Sequence, residues 1–289
     1  MKNQAVTTVT ESNVFLPIRP RDMHKGEAGK ILMIGGSFGY TGALTLAAKA
    51  ALRTGAGLVF MGVPEDIYPI VAAQNLEAMP FPLPCTDGKL NMHALPIILA
   101  RLQGMDTLLI GPGMGQSPEL DVLVCNLIRT AETPIVLDAD GLNAVSRNID
   151  ILDEARALLA LTPHDGEFAR LGGDLSHGDR LKAARDFATR YKCTLVLKGP
   201  GTISACADGT AYVNTTGNPG MATGGNGDVL AGMIAALIAQ NLPTEQAVTT
   251  AVWAHGKAGD LAANALGERS ILPSDLLDYL PEVLKSIVR

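Results

Sequence analysis

Six short apolar runs, most of them followed by glycine or a small polar residue, constrain the fold of this chain more than any other feature. They cover residues 30–34, 58–63, 107–110, 134–137, 158–161 and 194–197, and segments of helical character separate them. Short apolar runs that alternate with helices are typical of parallel strands buried on both faces. We therefore predict an α/β protein with a central, mostly parallel sheet and helices on both faces.

The pattern changes after residue 200. Two segments with strand character, residues 202–207 and 210–214, flank Asp208-Gly209, a pair that predicts a hairpin. A glycine-dense stretch follows, and helices are predicted over residues 229–240 and around 247–264. Because no break in composition divides the chain, we predict one domain over residues 1–289.

Composition excludes several functional classes. Hydrophobic residues make up 47% of the chain but aromatic residues only 4%, so Ala, Val, Leu, Ile and Met must build the core. The formal charge is −6 and no run of Lys or Arg occurs, which disfavours nucleic acid or a membrane surface as a partner. Residues 1–12 have no apolar signal core, and no apolar run approaches the ~18 residues of a membrane span. We expect a soluble, cytoplasmic protein.

The four cysteines are scattered, and no pair has the C-x-x-C spacing of a metal or redox motif. The sequence therefore supports neither a zinc site nor a disulfide framework. Three of them stand in apolar or alternating contexts, and we predict that they are buried as small hydrophobic side chains: Cys125, Cys193 and Cys206.

The glycine-dense stretch is the strongest candidate site. Residues 216–228 read TGNPGMATGGNGD and lead directly into a predicted helix. Small residues leave backbone N–H groups unblocked, and at a helix start these groups point outward beside the positive end of the helix dipole. We predict an anion hole for a phosphoryl group, formed by Gly224, Gly225, Asn226 and Gly227. Asp228 stands at its rim, where it could take a proton from a substrate hydroxyl or merely cap the helix.

Other polar residues follow the predicted strands. Lys198, in the segment KGPGT, could reach the phosphates of a nucleotide or be a solvated strand end. His164 could contact a ligand or cap a helix, with Glu167 completing a capping box. Asp138 and Asp140 end one strand together; they could orient a metal or a ribose, but we favour bonds to loop amides.

Two common nucleotide motifs are not supported. The chain has no G-x-x-x-x-G-K-[ST] sequence, so a P-loop is excluded. The turn GGSFG at residues 35–39 has the wrong glycine spacing for a dinucleotide fingerprint, and no acidic residue follows a second strand at the expected interval. A Rossmann-type oxidoreductase is therefore disfavoured.

Taken in order, the motifs resemble those of the ADP-dependent NAD(P)H-hydrate dehydratases, members of the ribokinase-like superfamily. They are KG at 25–26, GGS at 35–37, YTGA at 40–43, GPG at 111–113, DADGLNA at 138–144, LTPH at 161–164, EF at 167–168, LKG at 197–199, GNPGMA at 217–222 and GD at 227–228. The resemblance runs from about residue 12 to the end, and its TPH and GNPGMA segments are specific. One departure is Asn226, where the family usually has threonine; asparagine also caps helices and can hydrogen-bond phosphate, so we expect activity to survive.

The resemblance implies a ribokinase-like three-layer sandwich and an enzyme that dehydrates the S form of hydrated NADH or NADPH, NADHX or NADPHX. ADP would be the co-substrate, giving AMP and phosphate, with Mg²⁺ as cofactor; we assign no metal ligand. Asp228 would be the catalytic residue and would contact the substrate. The other implied substrate contacts are Ala43, Gly113 and His164. The implied nucleotide contacts are Lys198, Gly199, Pro200, Gly201, Thr202 and Gly227.

The resemblance also implies partners. Fused members of the family carry an epimerase domain ahead of the dehydratase, and since few residues precede the match here, we expect the epimerase to be a separate protein. Members commonly form tetramers. Two rivals remain open: a ribokinase-like kinase that phosphorylates a thiazole or pyrimidine alcohol, and a nucleotide-binding regulatory module without catalysis.

Overall fold

The computed structural model describes residues 5–289, and one twisted sheet of ten strands runs through it. The strands are β1 (Val6–Val9), β2 (Lys30–Ile34), β3 (Leu58–Pro64), β4 (Met79–Leu83), β5 (Cys85–Thr86), β6 (Lys89–Leu90), β7 (Thr107–Ile110), β8 (Ile135–Leu137), β9 (Leu159–Leu161), β10 (Thr194–Leu197), β11 (Ile203–Ala205) and β12 (Ala211–Asn214). The order in the sheet is β1-β12-β11-β10-β9-β8-β7-β2-β3-β4, and β5 pairs with β6 in a separate small hairpin.

Ten α-helices connect or cover these strands in the described chain. They are α1 (Thr41–Arg53), α2 (Tyr68–Gln74), α3 (Ala94–Leu102), α4 (Pro118–Thr130), α5 (Asp140–Ser146), α6 (Asp165–Arg170), α7 (Arg180–Tyr191), α8 (Asn226–Ala239), α9 (Thr244–Leu266) and α10 (Pro273–Ser286). No helix within residues 5–289 is long and apolar enough to cross a membrane.

The sheet is mostly parallel, as predicted. Only the pairs β10–β11 and β11–β12 of this sheet are antiparallel, and β11–β12 is the predicted hairpin. From β2 the chain first adds β3 and β4 on one side, then returns to place β7 on the other side of β2. Ligands of open α/β sheets bind at such a reversal, beyond the carboxyl ends of the strands. The loops that follow β2, β7, β8, β9 and β10 share that edge and carry most of the candidate residues.

Both faces of the sheet are buried, which accounts for its continuous apolar runs. Along β2, Ile31 and Met33 belong to one hydrophobic cluster, whereas Leu32 and Ile34 belong to the other. Buried residues of α1, α2, α8, α9 and α10 pack in the first cluster, and those of α3 to α7 pack in the second. The result is the three-layer arrangement that the sequence analysis predicts.

Small residues allow the helices of the first layer to approach closely. A Cβ atom added to Gly232 of α8 would lie 2.1 Å from the backbone oxygen of Ala47 in α1, so any side chain at residue 232 would separate the two helices. Residues 229–239 of α8 are all buried. A helix that is apolar on all sides must lie inside the protein. This helix therefore has a fixed position, and so has the glycine segment that precedes it.

The predicted elements correspond closely to the observed ones. The runs at 30–34, 107–110 and 194–197 match β2, β7 and β10 residue for residue, while α8 begins three residues before its predicted start. Strands β1 and β4 and the β5–β6 hairpin were not predicted. Pro80 and Pro82 make the sequence of β4 unlike that of a strand. Because β4 is an edge strand, it tolerates both prolines. The signal-core prediction for residues 1–12 falls partly on residues 1–4, which lie outside the described chain.

The cysteines are free thiols, and the three predicted to be buried are buried. Burial raises the pKa of the Cys193 thiol to about 12 and that of the Cys206 thiol to about 11. Both side chains are therefore protonated hydrophobic groups at neutral pH, and Cys85 is half-buried.

Candidate active site

The glycine segment forms an open helix start at the carboxyl edge of the sheet. Helix α8 begins at Asn226, directly after Gly225, whose φ of +107° suits glycine alone. A Cβ atom added to Gly224 would meet no atom within 4 Å, so the backbone there is bare. A Cβ atom added to Gly227 would lie 3.2 Å from Lys198 Nζ and 3.8 Å from Asp138 Oδ2. The helix start is thus open at Gly224, although the side chains of Leu46 and Pro273 pack on Gly225, and it lies beside the Lys198 segment.

The side chain of Asn226 holds the glycine segment together. Its Nδ2 donates to the backbone oxygen of Met221 and to Thr223 Oγ1, both at 2.9 Å, and the residue is buried. The sequence analysis allowed this amide to bond phosphate, but in the structure its N–H groups serve the loop instead. Any phosphate contact of Asn226 would therefore come from its backbone.

Two residues of α9 support the same segment, and sequence reasoning missed both. Asp260 accepts hydrogen bonds from the backbone N–H of Gly217 at 3.1 Å and from Asn218 Nδ2 at 3.0 Å. His255 is fully buried; burial lowers its pKa to about 4, although a hydrogen bond to the backbone of Asn226 opposes this shift. Neither residue belongs to a local motif, so only the folded structure shows that they face the glycine segment.

Lys198 is a mostly buried cation, so the alternative that it is a solvated strand end is wrong. It directly follows β10, its side chain is only 19% exposed, and its Nζ donates to Asp138 Oδ1 at 2.8 Å. Glu167 Oε2 lies 3.7 Å from the same Nζ. Burial alone would lower the pKa of Lys198, but the negative charges of Asp138 and Glu167 raise it above its usual value. The ammonium group is therefore permanently charged, which suits a phosphate-binding group.

Asp138 and Asp140 differ in role, although the sequence analysis favoured loop amides for both. Asp140 does bond the loop, since it accepts from the backbone N–H of Gly115 at 2.8 Å. That prediction is wrong for Asp138, whose buried carboxylate accepts from Lys198 and from Thr162 Oγ1, the latter at 2.7 Å. The carboxyl ends of β8, β9 and β10 meet here, and their adjacency explains how residues far apart in sequence form this cluster.

Asp228 is the third residue of α8. Because Gly225 is the N-cap, the alternative that Asp228 merely caps the helix is wrong. Burial, and next the negative charge of Asp138, raise the pKa of Asp228 to about 7, although Lys198 acts in the opposite direction. A carboxyl group with a pKa near 7 can accept a proton at neutral pH and return it, which is the property of a general base.

His164 caps α6, which is one of the two roles that the sequence analysis left open for it. Its Nδ1 accepts from the backbone N–H of Gly166 at 3.0 Å and of Glu167 at 3.3 Å, and Glu167 Oε2 accepts from the backbone N–H of His164 at 2.8 Å. The His164 side chain is nevertheless 55% exposed. Capping and ligand contact are therefore compatible at this position.

Ala43 and Gly113 lie next to each other. A Cβ atom added to Gly113, which has a φ of +61°, would lie 3.0 Å from the Cβ of Ala43 and 2.8 Å from the backbone oxygen of Tyr40. Ser37 Oγ donates to the backbone oxygen of Gly113 at 2.8 Å and fixes this floor. Ala43 lies in α1, which follows β2, and Gly113 lies in the loop after β7, whereas His164 follows β9, which is two strands beyond β7. At about 4.8 Å per strand, the candidate substrate residues span roughly 10–14 Å, a distance that suits an extended ligand.

The segment from Lys198 to Thr202 forms a tight turn. Gly199 has a φ of +145° and Gly201 a φ of +65°. Thr202 Oγ1 donates to the backbone oxygen of Gly199 at 2.9 Å and accepts from its N–H at 3.3 Å, so the hydroxyl closes the turn. Residues 199–201, including Pro200, are exposed.

No group of three or more His, Cys, Asp or Glu side chains within residues 5–289 is arranged to hold a metal ion. Asp138 and Glu167 already face Lys198. The described side chains therefore do not form a closed metal cage, and an ion here would take most of its ligands from a nucleotide and from water.

Comparison with known proteins agrees with this geometry. Residues 31–282 match the sequence profile of the family described as NAD(P)H-hydrate dehydratase. The chain belongs to the NAD(P)H-hydrate dehydratase family. It is 44% identical to the bifunctional NAD(P)H-hydrate repair enzyme Nnr of Moorella thermoacetica and 39% identical to that of Thermofilum pendens. Each match covers 99% of the chain but only 54% and 56% of the respective relative, so the chain spans about half the length of these curated relatives.

Solved structures confirm the predicted ribokinase-like fold. A ribokinase-like superfamily protein of Enterococcus faecalis is 26% identical, with a TM-score of 0.86 over 100% of this chain and 98% of that one. The ADP/ATP-dependent NAD(P)H-hydrate dehydratase of Bacillus subtilis, co-crystallised with ATP and Mg²⁺, is 30% identical, with a TM-score of 0.83 over 99% and 100%. The hydroxyethylthiazole kinase of Pyrococcus horikoshii, 17% identical with a TM-score of 0.62 over 92% and 91%, shares the fold alone.

Proposed function

We propose that this chain dehydrates the S form of hydrated NADH or NADPH, with ADP converted to AMP and phosphate. The observation that carries the proposal is the meeting of three features at one helix start: a bare backbone at Gly227, the ammonium group of Lys198 beside it, and Asp228 with a pKa near 7. Together they suit the transfer of a phosphoryl group to an alcohol. Membership of the NAD(P)H-hydrate dehydratase family supports the hydrate as the alcohol that receives the phosphoryl group.

The nucleotide would bind between two elements. The turn of residues 198–202 would contact ADP, while the N–H groups of residues 224–227 would hold the phosphoryl group that is transferred. Lys198 would balance the negative charge that moves between the phosphates. Mg²⁺, when bound, would neutralise part of the negative charge of the nucleotide. The Bacillus subtilis neighbour is named ADP/ATP-dependent, which supports the nucleotide, and was co-crystallised with ATP and Mg²⁺, which supports the metal.

The hydrate would lie on the other side of the anion hole. Ala43 and Gly113 would form the floor of its pocket, and His164 would contact it from β9. Because these residues span several strands, their spacing would suit an extended ligand. Asp228 would face the C6 hydroxyl of the hydrated ring.

The reaction would proceed in two steps. Asp228 accepts the proton of the C6 hydroxyl, whose oxygen attacks the β-phosphorus of ADP; the bond to the bridging oxygen breaks and AMP leaves. The lone pair of the ring nitrogen then expels the phosphate from C6, and loss of a proton from C5 restores the double bond of NAD(P)H. Positioning and electrostatic stabilisation by the protein would supply most of the acceleration.

A direct assay tests the proposal. The purified chain, S-hydrate of NADH, ADP and Mg²⁺ should restore the absorbance of the reduced nicotinamide and release one AMP for each turnover. Parallel reactions with NADPH hydrate and with ATP would define the preference between the two hydrates and the preference between ADP and ATP. Transfer of phosphate to a thiazole or pyrimidine alcohol, without any dehydration of the hydrate, would establish the kinase instead. Nucleotide binding without phosphate release would indicate a regulatory module.

Three further expectations stay predictions: cytoplasmic location, assembly into a tetramer, and cooperation with a separate NAD(P)H-hydrate epimerase. The relatives named bifunctional are about twice as long as the matched region, which supports a link between repair activities. Mass measurement in solution tests the tetramer, and a mixture of the two C6 epimers of the hydrate, supplied with and without an added epimerase, tests the cooperation.

A further inference from the structure

One arginine connects the two segments to which the proposed function assigns substrate and nucleotide. Arg180 is the first residue of α7, directly after Asp179, which caps the helix by accepting from the backbone N–H of Lys182. Its Nη1 donates to Asp165 Oδ1, and its Nη2 donates to the backbone oxygen of Lys198 at 3.0 Å. Asp165 immediately follows His164 in the chain.

The arginine also lies against the turn itself. A Cβ atom added to Gly199 would be 3.0 Å from Nη2 of Arg180, so the guanidinium group packs on the backbone at that residue. The Arg180 side chain is 27% exposed, which is less than half the exposure of Lys182 on the same helix, at 72%. The group is therefore held in place by the turn and by Asp165.

The chemistry of the guanidinium group suits such a link. It is planar and always charged, and it can donate in two directions at once, which an ammonium group on a flexible stem does less well. The backbone at Gly199, with a φ of +145°, is open to other conformations because glycine restricts it little. A contact that fixes this backbone would also fix the Lys198 side chain and the N–H groups of Gly199 and Gly201.

We propose that Arg180 is a positioning residue that holds the nucleotide-binding turn, residues 198–202, against the His164 segment. Through this contact, nucleotide and hydrate are kept at the separation that the transfer requires. The inference rests on the proposed function only for the identity of the two ligands. The link between Asp165, Arg180 and the turn stands on the contacts themselves.

The same helix provides a matched control. Arg190, also on α7, donates through Nη1 and Nη2 to the two carboxylate oxygens of Asp153 at 2.9 and 3.0 Å, and its side chain is 57% exposed. Arg190 and Asp153 form an arginine–aspartate ion pair, as Arg180 and Asp165 do. Asp153, however, belongs to the short 3-10 helix Ile149–Glu154, away from the candidate site. Loss of an exposed pair of this kind changes stability little.

The test compares Arg180→Ala, Arg180→Lys and Arg190→Ala by titration calorimetry with ADP and Mg²⁺, without hydrate. We expect Arg180→Ala to weaken ADP binding at least tenfold, Arg180→Lys to recover part of the loss, and Arg190→Ala to stay within twofold of the wild type. Melting temperatures should be similar for both alanine variants. Unchanged ADP affinity in Arg180→Ala, or equal weakening in Arg190→Ala, overturns the proposal.

A double-mutant cycle examines the link to the substrate side. If Arg180 works together with Asp165, then Asp165→Asn should weaken ADP binding severalfold, and the double variant should be no worse than Arg180→Ala alone. Independent, multiplying losses would show that the two residues act separately, which contradicts the proposal. Asp165→Asn also serves as the primary test if Arg180→Ala does not fold. Lack of dehydratase activity in the wild type would refute the proposed function, whereas ADP binding alone decides the role of Arg180.

Discussion

Lys198 Nζ donates to Asp138 Oδ1 at 2.8 Å, and this single pair influences both the candidate phosphate-binding cation and the candidate base. Asp138 supports the positive charge of Lys198, while its own negative charge helps to raise the pKa of Asp228 to about 7. One buried carboxylate therefore raises the pKa of two groups: it keeps Lys198 charged, and it makes Asp228 easier to protonate.

The pKa of Asp228 predicts the pH dependence of activity. Because a base must be deprotonated to act, kcat/KM should rise with pH through about 7 and level off above it. Asp138→Asn removes a negative charge near Asp228, so the rise should move to lower pH. Asp186→Asn, on the surface of α7, is the control and should leave the profile unchanged. A profile that Asp138→Asn does not move would contradict this electrostatic link.

Asp228→Asn should fold normally and bind ADP, yet lose turnover by a factor of about 10²–10⁴, the usual contribution of a general base. Asparagine has nearly the same shape but cannot accept the hydroxyl proton. Single-turnover assays with S-hydrate and ADP, combined with calorimetry of ADP binding, separate loss of chemistry from loss of binding. Near-wild-type turnover would remove Asp228 as the base.

The same substitution should stabilise the fold at high pH. The folded-state pKa of Asp228 lies above the ordinary value of 3.8, so the unfolded chain gives up this proton more readily than the native protein does. The contribution of Asp228 to the free energy of unfolding is then most favourable below pH 4, decreases between pH 4 and about 7, and stays level above. Asp228→Asn removes the buried carboxylate whose ionisation destabilises the fold. The variant should therefore gain at most about 4 kcal/mol in the free energy of unfolding at pH 8, and less at pH 5. Urea unfolding of both proteins at the two pH values gives the comparison; an equal gain at both would argue against a shifted carboxyl group.

The fold was predictable from sequence because its determinants are local. Buried parallel strands need continuous apolar runs, and Asp208-Gly209 supplies the turn between β11 and β12. The missed β4 has proline at two of five residues, which is tolerated only because it is the last strand of the sheet. That edge position depends on the order of strands, and no local pattern encodes the order.

The candidate site was predictable to the extent that it lies in continuous segments. The glycine stretch and the KGPGT turn have recognisable compositions, so Gly227 and Lys198 could be selected from sequence. Asp138 was given the wrong partner because its contact with Lys198 joins residues 60 positions apart. Arg180 and Asp260 had no local signal at all, since a single charged residue on a helix usually faces solvent.

Gly227→Ala separates the anion hole from the stability of its helix. Residue 227 is the second residue of α8 and does not have a positive φ, so alanine fits the helix and should maintain or raise the melting temperature. Its methyl group, however, would lie 3.2 Å from Lys198 Nζ, in the space where a phosphoryl group would approach the ammonium. We expect ADP affinity to fall at least tenfold without any loss of stability. Calorimetry and thermal unfolding of the one variant measure both quantities, and unchanged ADP affinity would mean that the phosphates bind elsewhere.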